Sequence, residues 1–278
     1  MTAKVDCLSQ IKKTLATISP EEYPETYTYL SQTPGLNGEP NPGEPISPYT
    51  IANNILNLDK PGTLPKSVLD LVTCLFEMEI AEGNSDAMND LGSIYYDGSR
   101  GLEQSFEKAV RCYKMAAEQG SRQAQENLGY CYYYGRDGEP DYEKAFHYYA
   151  LGAFDGHLIS LYKIGDMYLH GLYVPKNERE AFFIFMRCLE TMTEEAEDRV
   201  AGPVYLRLGR MFLDGTGTEK NYKNALICFQ KAESFLYDMV MNGDVMYRRS
   251  LIAAIKGQEE ARKKLSKALP EDTWEFDS

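Results

Sequence analysis

Between residues 87 and 240 the apolar and small positions recur in a fixed order. Four times a glycine is followed six residues later by another: Gly92 and Gly98, Gly129 and Gly135, Gly165 and Gly171, Gly209 and Gly215. A leucine or isoleucine (Leu91, Leu128, Ile164, Leu208) precedes the first glycine of each pair, and an aromatic (Tyr95, Tyr132, Tyr168, Phe212) follows it by three. Those two apolar residues are four apart, so they share one face of a helix. An alanine comes 17, 16, 16 and 16 residues after the first glycine (Ala109, Ala145, Ala181, Ala225), with an aromatic four further on (Tyr113, Tyr149, Phe185, Phe229). This second pair predicts a second helix, and Ser105, Asp141, Asn177 and Asn221, four before each alanine, are side chains suited to cap its first turn. The second glycine of each pair suits a helix stop in left-handed backbone. First glycines are spaced by 37, 36 and 44 residues, which is a repeat array of helix pairs.

The flanks extend the array. Val72, Phe76 and Gly83 reproduce the alanine, aromatic and glycine offsets of a second helix over 66–82, with its first helix near 48–58. Residues 48–84 are therefore a degenerate leading pair, 85–241 the four full repeats, and 242–270 a terminal pair with helices over 244–255 and 258–269. A polar last helix (Arg262, Lys263, Lys264, Lys267) is what a terminal unit needs. Residues 1–30 hold Val5, Leu8, Ile11, Leu15 and Ile18 at helical spacing, as a cap on the array or a detachable docking element. Residues 31–47 form a proline- and glycine-rich linker, and 271–278 an acidic tail. Eight extra residues around Glu194–Pro203 lengthen either a helix or a turn. A solenoid uses this length without a second core, so one elongated domain is expected.

Charge narrows the partners. The net charge of −13 disfavours nucleic acid and anionic membrane, and no apolar run approaches a membrane span. The first residues lack the apolar core of a signal peptide, which points to the cytoplasm. Six cysteines (Cys7, Cys74, Cys112, Cys131, Cys188, Cys228) show no CxxC and no regular pairing; buried structural thiols and disulfides are the two readings.

Ala124, Leu128-Gly129, Tyr132, Gly135, Lys144-Ala145 and Tyr149, like Ala87, Leu91-Gly92, Tyr95, Gly98, Lys108-Ala109, Tyr113 and Ala116-Ala117, resemble the Sel1-like repeat, a relative of the tetratricopeptide repeat. Ser160 departs from the pattern by replacing its leading alanine, and only Gly215-Thr216-Gly217 keeps the closely spaced glycine pair. The resemblance implies an all-α, right-handed superhelical solenoid of antiparallel helix pairs used as a protein-binding scaffold. Cysteine-rich secreted members with a disulfide in each repeat have been linked to β-lactam binding; the cysteines here lack that regularity.

No catalytic signature is found. His147, His157 and His170 are scattered, Gly215–Lys220 lacks both a preceding strand and Walker spacing, and no cofactor or metal is expected. Projection of the first helices at about 100° per residue places the marker residues on one side. The opposite side receives Asp90, Ser93 and Asp97, then Asn127, Tyr130 and Tyr134, then Lys163, Asp166 and His170, then Arg207, Arg210 and Asp214. By analogy with related helical repeats this is a concave groove, and Asn127, Tyr130, Tyr134, Lys163, Asp166, His170, Arg207 and Arg210 are its candidate partner-binding residues. Such a set fits a protein or peptide that is acidic or presents a carboxylate. In the run Tyr132-Tyr133-Tyr134, Tyr132 is expected in the core, Tyr133 against an adjacent helix and Tyr134 exposed.

The reading is a non-enzymatic interaction scaffold of the bacterial cytoplasm. Two alternatives stand beside it: a small-molecule binder or enzyme with its site in an end pocket or the 191–203 insertion, and a self-associating module whose acidic tail docks in a neighbour's groove.

Overall fold

A computed structural model describes residues 2–34, 36, 46–58, 64–136, 138–192 and 197–268. Among the described residues every regular element is helical, and contacts gather in two units, Met1–Asp141 and Tyr142–Ser278, in place of the single domain expected.

The first unit holds α1 (Thr2–Leu15), α2 (Pro24–Ser31), α3 (Pro48–Leu58), α4 (Lys66–Ala81), α5 (Ser85–Asp97), α6 (Phe106–Glu118) and α7 (Arg122–Tyr133). The leading pair, α3 and α4, falls where the sequence places it. One core joins Ile11 of α1 and Leu30 of α2 to Ile51, Ile55, Val68, Val72, Leu75 and Phe76, all but fully buried. Helix α1 is thus a cap on the leading pair. Much of the linker, including residues 37–45, lies outside the described residues.

The second unit holds α8 (Tyr142–Phe154), α9 (Leu158–His170), α10 (Glu178–Glu190), α11 (Glu197–Asp214), α12 (Tyr222–Met241), a 3-10 turn (Val245–Tyr247) and α13 (Arg248–Ala268). The insertion lengthens a helix: α11 runs 18 residues, with Pro203 inside it, against 13 for α9.

What joins the two helices of a repeat is a ring set on a glycine. A Cβ added at Gly92 would come within 2.8 Å of the Tyr113 ring, at Gly165 within 2.6 Å of Phe185, and at Gly209 within 2.8 Å of Phe229. The first helix lacks a side chain where the second helix inserts its aromatic, so the backbones approach and the ring is sealed from water. Phe185 and Phe229 are fully buried, each worth about 1.5–3 kcal/mol relative to exposure. The ends of the helices follow the expected chemistry. Ser105, Asn177 and Asn221 accept from the backbone N–H three residues on, at 3.3, 3.0 and 2.9 Å, and Gly98 and Gly171 close α5 and α9 at φ 61° and 68°.

The terminal pair expected over 244–255 and 258–269 is instead one helix. Gly257 lies inside α13, and a Cβ there would meet the Phe229 ring at 2.5 Å. Phe229 therefore sits between two glycines, Gly209 of α11 and Gly257 of α13. This glycine makes room for a ring and does not break a helix.

Ser160, the departure from the repeat pattern, is matched by a second one. Its side chain is fully buried, its hydroxyl has no hydrogen-bond partner, and a Cβ added at Gly152 would meet Ser160 Oγ at 2.3 Å. One repeat earlier, Ala116 and Ala124 hold the same offsets, so glycine and serine here divide the space that two alanines fill there. Gly152→Ala should destabilise by about 1–2 kcal/mol despite alanine's better helix propensity, because the added methyl overpacks the contact. Adding Ser160→Ala should recover at least half of that loss in urea unfolding; a stabilising Gly152→Ala in the parent would contradict the packing.

Candidate functional site

The opposite side of the first helices is less open than helical projection suggests, because within each unit polar side chains of neighbouring first helices bond to one another. In the first unit the Tyr49 hydroxyl of α3 donates to Asp90 Oδ2 of α5 at 2.7 Å, and burial followed by that bond pushes the phenol up to about 12. Asn89 Nδ2 donates to Asp90 Oδ1 at 3.4 Å, and Asn127 Nδ2 of α7 donates to Asn89 Oδ1 at 3.0 Å. A continuous polar ladder thus crosses three helices.

Beside it lies an aromatic cluster. The rings of Tyr130 and Tyr134 are 4.4 Å apart, Tyr130 meets Tyr96 edge-on at 6.0 Å, and Tyr96 meets Phe106 at 5.2 Å. Arg136 lays its guanidinium over the Phe106, Tyr134 and Tyr96 rings at 5.1, 5.7 and 5.8 Å, and its Nε donates to the Tyr96 hydroxyl at 3.0 Å. Burial raises the pKa of that hydroxyl, so it stays protonated near neutrality. Tyr134 keeps 43% of its surface exposed, while Tyr132 and Tyr133 are both half-buried, Tyr132 short of the core position expected for it. Arg136 and Tyr96 are absent from the sequence-derived set. Arg136 follows the helix-stop glycine, where the repeat pattern prescribes nothing.

In the second unit two of the proposed partner-facing residues are interior. Asp166 and Lys163 of α9 retain 3% and 8% of their surface. Arg207 of α11 meets Asp166 through a fork, Nε to Oδ1 at 2.8 Å and the Nη2 amine to Oδ2 at 3.2 Å. Asp166 is thus removed from any partner and Arg207 is already committed to a carboxylate. Projection missed this because it treats each helix alone, whereas α9 and α11 are neighbours. His170, the last residue of α9, is exposed, and so is Arg210, which meets the half-buried Glu260 of α13 at 3.2 Å. Lys264 at 2.9 Å and Arg210 hold the Glu260 carboxyl below its ordinary range. His170, Arg207, Arg210, Leu206 and Ala253 line a cleft of about 410 Å³.

A second cleft, of about 480 Å³, is apolar and is lined by Phe146, Ala150, Phe154, Leu158, Leu161 and Tyr168, with Arg187 and Thr191 at its edge. Residues 193–196 of the insertion lie outside the described residues. Among the described residues no group of histidine, cysteine and carboxylate side chains is placed to hold a metal. Five cysteines are buried and Cys74 is half-buried. Burial pushes the thiols of Cys112 and Cys228 up to about 11 and that of Cys188 to about 12, so these three pack as neutral side chains. No helix among the described residues is long and apolar enough to cross a membrane.

The two arginines of α11 should separate in unfolding measurements. Arg207→Ala leaves Asp166 buried without its fork and should cost about 2–4 kcal/mol, whereas Arg210→Ala breaks exposed pairs and should cost about 0–1 kcal/mol. Equal small losses in urea denaturation would show that the Asp166 pair is not structural.

Comparison with known proteins agrees with this geometry. The Sel1 repeat model matches residues 85–121, 122–157, 158–185 and 203–234, in the register of the four glycine pairs. Protein sel-1 homolog 2 of Mus musculus is 29% identical over 156 residues, covering 56% of this chain and 22% of its own length. The ERAD-associated E3 ubiquitin-protein ligase component HRD3B of Arabidopsis thaliana is 35% identical over 109 residues, covering 38% and 17%. The chain thus spans about a fifth of the length of these relatives. A crystal structure of a Sel1 repeat protein from Oxalobacter formigenes superposes with a TM-score of 0.55 at 20% identity, over 80% of this chain and 84% of that one, which supports the fold. Four repeats matched in register, three of them with a ring set on the first glycine, make this chain a member of the Sel1-repeat family.

Proposed function

We propose that the chain is a non-enzymatic scaffold of the cytoplasm that holds a protein or extended peptide on the exposed positions beside its first helices. The observation that carries this reading is the cross-helix bonding of Asn127 to Asn89 and of Arg207 to Asp166. Side chains tied to each other lose little further freedom when a partner arrives, so the binding surface is preorganised. A relative that is a component of a larger assembly, the plant ligase component, supports the same reading.

Each unit offers its own contact. In the first, Tyr134 with Tyr130 presents flat amphipathic area backed by Arg136. In the second, Arg210 and His170 are the open groups, and a partner's carboxylate would compete there with Glu260. Arg207, Asp166 and Lys163 support that surface from beneath, and Asn127 fixes the helix that carries Tyr130.

The small-molecule reading rests on the apolar cleft at Phe146 and Leu161, where Phe154 is 92% exposed. A ligand seated there would raise the melting temperature, and Leu161→Arg would abolish the rise.

The scaffold reading is tested by affinity capture from native lysate, identification of the retained protein, and titration of the purified pair. Tyr134→Ala and Arg210→Ala should each weaken binding by about 1–3 kcal/mol, the range of interface hot spots, without loss of helicity. Unchanged affinity in the double variant would remove this surface from the reading.

A further inference from the structure

The cleft between α9, α11 and α13 brings an apolar floor and cations into one enclosure. Leu169, Leu206, Met211 and Ala253 form its apolar part; Met211 keeps 2% of its surface and the other three are half-buried. His170, Arg207, Arg210 and Thr216 supply its polar part. At about 410 Å³ it lies at the small end of ligand pockets, which run from about 300 to 1,000 Å³. Such a space takes one large side chain with the peptide unit attached to it, and not a run of sequence.

The two arginines play different parts here. Arg207 has its fork on the buried Asp166 and stands as a fixed wall. Arg210 is tied more loosely: Nη1 lies 3.2 Å from Glu260 Oε2, and Nε lies 4.0 Å from Asp214 Oδ2. The side chains of Arg210 and Glu260 keep 48% and 42% of their surface, and a pair so open to water contributes little net stability. Glu260 also has Lys264 at 2.9 Å to retreat to. The carboxylate now on Arg210 is therefore one that another carboxylate can replace.

Which carboxylate fits follows from what lies beside it. In an internal Asp or Glu the carboxylate ends the side chain, and backbone continues in both directions through a cleft with no room for it. In the last residue of a polypeptide the carboxylate is bonded to the same Cα that carries the side chain. An anion for Arg210 and an apolar group for Leu169, Leu206 and Met211 then arrive together on one residue.

We propose, resting on the scaffold reading above, that this cleft takes the C-terminal residue of the partner. The terminal carboxylate replaces Glu260 on Arg210, beside His170. The side chain, a large aliphatic one such as Leu, Ile or Met, lies on Leu169, Leu206 and Met211, and Thr216 offers its hydroxyl to the last peptide unit. Glu260 is then a competitor built into the site, which lowers affinity by occupying Arg210 whenever the cleft is empty.

Met211 lies in the floor of the cleft, so its methyl group reports on occupancy in protein isotope-labelled at its methionine methyls; Met211→Leu identifies the signal in the NMR spectrum. The probe is the peptide acetyl-Gly-Ser-Gly-Leu with a free carboxylate, titrated into the full chain, and it should shift the Met211 signal saturably. Three controls each lack one feature: the peptide amide lacks the charge, the same peptide ending in Gly lacks the side chain, and isocaproate lacks the peptide unit. Each should bind at least about fivefold more weakly, for want of a charged hydrogen bond, apolar burial or a peptide hydrogen bond. Arg210→Ala should abolish the preference for acid over amide. Glu260→Gln, which removes the competitor and keeps the arginine, should tighten the free-acid peptide by about two- to fivefold; circular dichroism checks that both variants keep their helicity. Equal binding of acid and amide, or no saturable shift from the free acid, overturns the proposal. So does isocaproate binding as tightly as the peptide, which would make this a site for small acids, and so does a Glu260→Gln protein that binds the peptide more weakly than its parent. The scaffold reading is judged separately, by lysate capture: a captured partner whose affinity survives removal of its last residue would keep that reading and overturn this one.

Discussion

A ring on a glycine is the constraint from which the rest of this structure follows. Because Gly92, Gly165 and Gly209 lack a side chain where Tyr113, Phe185 and Phe229 arrive, the two helices of each repeat close on one another at a fixed depth and rotation. The polar ladder depends on that rotation. With the Gly209 face of α11 turned inward, Arg207 points across to the preceding first helix, where Asp166 receives it. Packing inside a repeat and bonding between repeats are therefore two consequences of one geometry.

The same geometry divides the candidate surface into support and contact. A buried carboxylate costs free energy unless a cation answers it, and Arg207 answers Asp166 with two hydrogen bonds. An arginine so engaged holds its neighbours in place. Tyr134 in the first unit, and His170 and Arg210 in the second, are exposed, each beside first helices of its own unit that are bonded to one another. That a scaffold should carry its recognition groups on such a braced frame is physically economical, since little ordering remains to be done on binding.

Much of the fold was legible because its determinants are local in sequence. The capping residues Ser105, Asn177 and Asn221, the stops at Gly98 and Gly171, and the leading pair marked by Val72 and Phe76 all follow from spacing and residue type. The division of the last helix between 255 and 258 failed for a reason that is not local. A glycine before a charged segment looks like a helix break until Phe229, 28 residues earlier, is known to occupy the space above it. The burial of Asp166 and Lys163 was hidden in the same way, since a single-helix projection has no neighbour in it. Arg136 lay beyond reach for a further reason: its role comes from three rings on α5, α6 and the end of α7. Ser160 was noticed as a departure, but its meaning needed Gly152 beside it.

The central claim is that Gly92, Gly165 and Gly209 exist to receive a ring, and the sign of one substitution tests it. Gly165 lies inside α9, where alanine has about 1 kcal/mol better helix propensity. If the glycine were only a tolerated spot, Gly165→Ala would stabilise the protein by about that amount. The account predicts the reverse, a loss of about 1–3 kcal/mol in urea unfolding as the new methyl meets Phe185, and a stabilised Gly165→Ala protein would contradict it.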